Sequence, residues 1–456
     1  MRALAPPAGF AGELITPDHA DYDDARANFD PQFDRRPAAI AMCRGESDVQ
    51  AAVRYSREHE LEIAVRSCGH SVPGYCTVEG GIIVDLSSLK GIEIDADARR
   101  ARVQPGLTAG EVEEALALHG LVAAAGIESM PGYVGLAIHG GRGLLGRRHG
   151  WSSDHIRSAR VVTADGEAII VSRDEHADLL YGLRGLGSSF GIVTELEVEV
   201  HPIAATITGG PRTYGPDQLH DVVPALLAMF ERDVSDNLDA MLTFFVDGGA
   251  THLELLLLHL GEADEVEREL ARLDALAEPL NDSTARVSYP DFLNASEHPP
   301  LERFVWAEQG SDLPAAELAE ALLELADELP TSTTPGLPNH YLVSEPFGRA
   351  FLREPDLPTP VPRRSAWNIA FFGAWADAAM DGAMNEWAAT SRDELERSGV
   401  GNGIPVLNYN TVTGPSAVRR AYGDEAYRRL QQLKRRYDPD DVFHLNHNVE
   451  LPGDGA

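Results

Sequence analysis

Apolar positions repeat with two different periods along the chain, and each period predicts its own kind of element. Residues 37–56 (PAAIAMCRGESDVQAAVRYS) read as a short apolar strand, a turn and a helix, with Val49, Ala52 and Val53 on one face and Ser47 as the N-cap. IAVRSCGHS at 63–71 is a strand that enters a glycine turn, and 80–106 holds further strands joined by turns. Thr108 opens an amphipathic helix: Glu111, three residues on, completes a capping box, and Gly120 stops it. Residues 158–172 form a hairpin about Asp165-Gly166, and 191–203 alternates apolar and polar side chains as a half-buried strand does.

After His201-Pro202 the pattern changes. Long helical stretches (LHDVVPALLAMFERDV, DEVERELARLDALAEPL, AAELAEALLELADEL) mix with apolar strands (AMLTFFVDG, THLELLLLHL, SAWNIAFFGAWA) up to about residue 410. Such a mixture predicts a sheet covered by helices, so the fold class is α+β. One more helix is expected at 416–437, followed by a turn and an extended tail.

Composition narrows the picture. With 456 residues and 43% hydrophobic content, the chain can bury a substantial core in two or three domains. The formal net charge of -34 repels nucleic acid and anionic membranes, so neither is expected as a partner. The two lysines, Lys90 and Lys434, read as compositional bias toward arginine. Three cysteines argue against a disulfide framework, and without CxxC or HExxH no metal site is expected. No apolar run approaches the roughly 20 residues of a membrane span. The first residues lack a basic region followed by an apolar core, so a soluble, cytoplasmic protein is expected.

Four segments carry candidate chemistry. Arg66-Ser-Cys-Gly-His-Ser71 is a strand-to-turn segment whose N–H groups and hydroxyls suit a phosphate, with an imidazole at its centre. Residues 126–150 hold eight glycines, a density that suits backbone approaching a ligand. They include a literal GxGxxG at 141–146, but no long helix follows it and no acidic residue closes a second strand, so a Rossmann fold is not predicted. The third is a glycine turn feeding a strand at 183–194, and the fourth is Phe443-His-Leu-Asn-His-Asn448.

In this order the segments resemble the berberine-bridge-enzyme-like branch of the vanillyl-alcohol-oxidase flavoproteins. The resemblance rests on RSCGHSVPG (66–74), GGIIVDLSSLKGI, the glycine run, SARVVTADG (158–166), GLRGLGSSFGIVT (182–194) and YDPDDVFHLNHN (437–448). It implies a PCMH-type FAD-binding domain of two α/β subdomains, at about 1–203 and 411–456, with a substrate domain at 204–410 whose antiparallel sheet is covered by helices. It further implies FAD bonded through its 8α-methyl to His70, with Arg66, Ser67, Cys68, Gly69 and Ser71 around the pyrophosphate. Many relatives carry a second link through a cysteine, but the matching position here is Glu128, so a single link through histidine is expected. Met130, Pro131, Gly132, Val134, Gly135, Gly140, Gly141 and Gly143 would pass under the cofactor, Gly191, Ile192 and Val193 would meet the adenine, and Asn446 and Asn448 would return to the flavin ring.

The tyrosine base of many relatives is Val406 here, while Asn408 is kept. His139, Tyr409 and His447 are therefore the candidate catalytic groups, and Tyr133, Trp306, Phe371 and Asn408 the candidate substrate contacts. The implied reaction is oxidation of a small alcohol, amine or natural-product intermediate, by hydride transfer to flavin N5 with dioxygen as acceptor. A dehydrogenase with another acceptor, and a non-catalytic flavin or small-molecule binding protein, stay open. The oligomeric state is not readable.

Overall fold

The computed structural model describes residues 4–295, 303–332, 339–411 and 413–451. Three large sheets organise these residues, beside a two-stranded pairing of Leu121–Val122 with His201–Pro202. A four-stranded sheet runs Glu13–Ile15, Ala39–Met42, Ile82–Asp85, Ile63–Arg66, antiparallel at its first pair and parallel at the other two. Its parallel strands are short apolar runs, as buried strands are, and the helix Glu46–Glu58 packs Val49, Ala52 and Val53 onto them. That helix starts two residues earlier than expected. Gly45 is its N-cap and Ser47 lies inside the first turn, where Glu46 and Asp48 suit the positive helix end.

A five-stranded antiparallel sheet has the order Ile92–Asp95, Arg100–Val103, Ile192–Glu199, Ile156–Val162, Ala168–Ser172. The helix Ala109–Ala117 begins with the predicted capping box at Thr108 and Glu111. Two of the expected glycine turns hold more helix than the sequence suggested. The glycine run contains the short helices Tyr133–Ala137 and Gly146–His149, and Ala177–Leu186 precedes the strand that starts at Ile192. Apolar side chains between these glycines (Tyr133, Val134, Ala137) pack into the core, which is why the run is not plain loop.

The third sheet is antiparallel and eight-stranded. One face is covered by the helices Leu219–Arg232 and Ala315–Asp327, which bury Leu226, Leu227, Leu318 and Leu322 against Leu242, Leu257, Ile369 and Phe371. The other face meets Val72, Ile127, Leu144 and Leu145 from the first part of the chain. The helix Pro415–Tyr437 then brings the tail back, packing Val418, Leu430 and Leu433 into the core under the five-stranded sheet.

Candidate active site

Two cavities meet at a common wall. The first is lined by 67–73, Tyr75, Cys76, Pro131, Gly132, Gly135, Leu136, His139, Ser188, Asn408, Tyr409, Phe443 and 445–447, with Ile63 and Val65 below. The second, about 660 Å³, lies under the eight-stranded sheet between Phe29, Ile127, Met241, Phe304, Trp306, Tyr341, Val343 and Phe372. His70, Val72 and Tyr409 belong to both.

The first cavity is built from five distant stretches of chain. The strand Ile63–Arg66 ends in a turn that presents Ser67 through Ser71. The loop before Tyr133 is pinned to the first turn of Ala109–Ala117, since Ala109 N–H donates to Pro131 O at 2.8 Å and Gly110 N–H to Ser129 O at 2.9 Å. Glycine is required at 132, where a Cβ would fall 2.5 Å from Ser67 Oγ and 3.1 Å from Cys68 Sγ, whereas one at 135 would meet open space. The tail is tied by Asn446, whose amide donates to Ser188 O and Phe443 O, and by Ser189 Oγ, which donates to Asn446 Oδ1 at 3.0 Å.

Among the described residues no Asp, Glu, Lys or Arg lines this cavity. Its ionisable groups are histidines, tyrosines and thiols, and burial biases each toward neutrality. The His70 ring stacks on Phe29 at 3.8 Å between centroids, and its buried Nε2 has no hydrogen-bond partner, with Glu128 Oε2 at 3.9 Å. Burial lowers its pKa against the opposing pull of Glu128. His139 is held by Gly135 O at 2.8 Å and Ser188 Oγ at 2.6 Å; Nδ1–H donating to the carbonyl leaves Nε2 to accept from the hydroxyl, and burial lowers its pKa. His447 lies 6.4 Å from His139, its Nδ1 is buried without a partner, and burial and that neighbour push its pKa down to about 3. Burial likewise holds the Tyr409 phenol far above its ordinary value.

Behind Tyr409 lies an ionic knot absent from the sequence reading. Arg142, only 2% exposed, pairs with Glu308 at 2.7 Å and with Glu345, and its guanidinium sits 4.7 Å from the Tyr409 ring centre. Trp306 Nε1–H donates to Glu308 at 2.7 Å, and Asn368 donates to both carboxylates. Burial raises the Glu308 pKa. A glutamate inside the apolar strand sequence FVWAEQG was the available signal.

The structure brings Ser67, Cys68, Gly69, His70, Ser71, Pro131, Gly132, Gly135, His139, Asn408, Tyr409, Asn446 and His447 to the first cavity, and Trp306 to the second. It places the other expected residues elsewhere. Arg66 lines neither cavity; it binds Asp85 and the carbonyls of Ala25 and Ala27 and so braces the turn. Met130 is exposed to solvent. Val134, Ile192 and Val193 are core side chains, and Gly191 is packed against Val161 and Val162. Gly140, Gly141 and Gly143 line neither cavity; a Cβ at 143 would collide with the carbonyls of Ala125 and Gly126. Asn448 donates to Asp441. Tyr133 is fully buried in the core, and Phe371 faces the helices on the far side of the sheet. Its neighbour Phe372 is the ring that reaches the cavity, because strand side chains alternate faces.

Two family models match most of the stretches that build the first cavity: an FAD binding domain over residues 37–172, and the berberine and berberine-like model over 407–450. The chain is 33% identical to (R)-6-hydroxynicotine oxidase of Paenarthrobacter nicotinovorans over 460 residues, covering 99% of each chain. It belongs to the berberine-bridge-enzyme-like FAD-linked oxidoreductases. The crystal structure of 6-hydroxy-D-nicotine oxidase from Arthrobacter nicotinovorans superposes with a TM-score of 0.90 at 32% identity, covering 98% of this chain and all of that one. Berberine bridge enzyme from Eschscholzia californica shares the fold, with a TM-score of 0.83 at 18% identity over 97% of this chain and 98% of that one. The enzyme is thus an FAD-dependent oxidoreductase of this family, and the PCMH-type α+β fold expected from the sequence is the one it has.

The first cavity suits the flavin part of FAD. It is free of formal charge, it is floored by glycines whose backbone allows close approach, and its unpartnered buried atoms, His70 Nε2, Asn408 Oδ1 and His447 Nδ1, are polar groups of the kind a heterocycle satisfies. Among the described residues no helix is long and apolar enough to cross a membrane.

Proposed function

We propose that the enzyme is an oxidase of small amines, with FAD joined to the protein through His70 alone and dioxygen as the electron acceptor. The observation that carries this reading is the shared wall: His70 and Tyr409 close the charge-free cavity and open onto the larger one. FAD, when bound, supplies the two-electron acceptor. The protein supplies the rest. The turn 67–71, Gly132 and Asn446 hold the cofactor, His70 anchors it, and Tyr409, braced by Arg142, fixes the boundary across which the substrate carbon approaches.

The larger cavity favours an amine. Its walls are aromatic and aliphatic, yet Glu128, Glu254 and Asp291 reach it and no described Lys or Arg does. Such a lining attracts a cation and repels an organic acid. The relatives named for hydroxynicotine oxidation act on a compound that carries an amine, which agrees with this lining. His139 and His447 stay neutral within the first cavity and are the candidate proton carriers there.

Two measurements test the reading. Acid precipitation of purified protein should give a yellow pellet, and His70→Ala should move the colour to the supernatant; a colourless wild-type pellet removes the covalent link. Anaerobic mixing with 6-hydroxynicotine and a panel of secondary amines, alcohols and sugars should bleach the flavin with amines, and air should restore it within seconds. Bleaching by sugars alone, or flavin that stays reduced in air, contradicts the proposal.

A further inference from the structure

Where many relatives carry the second cysteine link, this chain carries a carboxylate beside the histidine. Glu128 stands on the loop whose carbonyls at Ser129 and Pro131 are bound by the first turn of Ala109–Ala117, so its backbone position is fixed. Its Oε2 is 3.9 Å from His70 Nε2, a nitrogen that is buried and has no hydrogen-bond partner. The imidazole face is clamped by Phe29, at 3.8 Å and 29° between planes. Burial keeps the ring neutral, so it carries one N–H and one lone pair. A carboxylate next to one ring nitrogen selects the tautomer with the proton on that side and leaves the lone pair on the other, which is the logic of an acidic residue orienting a catalytic histidine.

We propose that Glu128 is a positioning residue for cofactor attachment: it accepts the Nε2 proton of His70 and so makes Nδ1 the nucleophile toward the flavin. The proposal rests on the reading that His70 carries the flavin. The separation of 3.9 Å must close to a hydrogen bond, and such bonds commonly reach full length only with the ligand in place. In the net reaction, His70 loses its ring N–H proton and one C–H bond of the flavin 8α-methyl breaks. An N–C bond forms between the two groups. The electron pair left on the ring system passes to dioxygen, which takes up two protons from solvent, as many as the two bonds release, and gives hydrogen peroxide. Glu128 receives the imidazole proton as the bond forms and passes it to solvent through the larger cavity, which it also lines.

The test follows attachment rather than turnover. Full-length protein is expressed under riboflavin limitation, mixed with FAD in air, and quenched with acid at intervals, with flavin counted in pellet and supernatant. Quenching of FAD fluorescence before the quench reports non-covalent binding. The expected result is rapid attachment in wild type, at least tenfold slower attachment in Glu128→Gln, and an intermediate rate in Glu128→Asp, with non-covalent binding unchanged in all three. A Glu128→Gln rate within twofold of wild type overturns the role. So does loss of non-covalent binding in Glu128→Gln without recovery in Glu128→Asp, which assigns the residue to folding. Wild type that never retains flavin in the pellet overturns the His70 reading itself, and the two failures are thereby distinct.

Discussion

Arg142 shows how far a single side chain can govern this site. It is enclosed between Glu308 and Glu345, so a neutral substitute leaves two carboxylates facing each other in the interior. Breaking a buried ion pair from one side costs about 3–5 kcal/mol. Arg142→Met is expected to lose stability of that order in urea titration, and Glu308→Gln in the same chain should recover part of it. If Arg142→Met unfolds at the wild-type midpoint, the knot is not structural. At this scale the sequence pointed to the first cavity where a residue sits in a motif, as His70, Gly132 and Asn446 do. It was silent where the partner is remote: Arg142 meets glutamates about 166 and 203 positions away, a pairing no local pattern encodes. The same holds for Phe29, which stacks on His70 from a stretch with no recognisable motif. Lys434 carried no local signal either. It is fully buried, donating to Asp438, Ser189 O and Phe443 O, and so it ties the tail to the turn before Ile192.

Strands obey a simpler rule, and the strand Trp367–Trp375 uses both its faces. Phe371 packs under the helices Leu219–Arg232 and Ala315–Asp327, and Phe372 turns to the larger cavity beside Trp306 and Tyr341. The two phenylalanines therefore make separable predictions. Phe371→Ala should cost about 3–5 kcal/mol of stability with KM near the wild-type value. Phe372→Ala should change KM and the rank order of amines, at a smaller cost in stability. Equal effects from the two would mean that the sheet does not divide core from cavity. The element itself was legible as an apolar run; its facing was not. Apolar residues at nearly every position, with both faces buried, erase the period-two signal that would have told Phe371 from Phe372. Ser47 failed for a related reason: several residues near the start of a helix can cap it, and Gly45 holds the extended backbone that position needs.

Across the whole molecule the surface is acidic, with a net charge of -34, yet a buried histidine cluster contributes to the response to acid. His149 stacks on His201 at 4.1 Å, and His201 Nε2 lies 3.1 Å from His155 Nδ1. Burial pushes His155 and His201 down to about 4. An unfolded histidine titrates near 6.5. These two histidines therefore leave stability unchanged above that value, lower it as pH falls from about 6.5 toward 4, and add no further loss below. His155 alone accounts for roughly 2 kcal/mol at pH 5. The urea midpoint should fall between pH 7 and pH 5, and His155→Gln should flatten that slope; a midpoint indifferent to pH in wild type contradicts the cluster's neutrality. The α+β class, the change of character after His201-Pro202 and the returning tail were all visible in the sequence, because period and composition report on elements and their order. The meeting of two cavities at His70 and Tyr409 was not, because it depends on how separate sheets face one another.

The cofactor cavity has a consequence for the order of events during synthesis. Its walls come from positions near 70, near 135, at 188, near 408 and at 443–447. A ribosome releases the turn with His70 long before it makes the tail that closes the same chamber, and at ordinary elongation rates the interval is tens of seconds. The unfinished polypeptide thus has half a chamber, and a flavin seated there would meet a completed chain rather than a growing one. Cells short of riboflavin would be expected to accumulate finished, colourless protein that later supplementation can still convert.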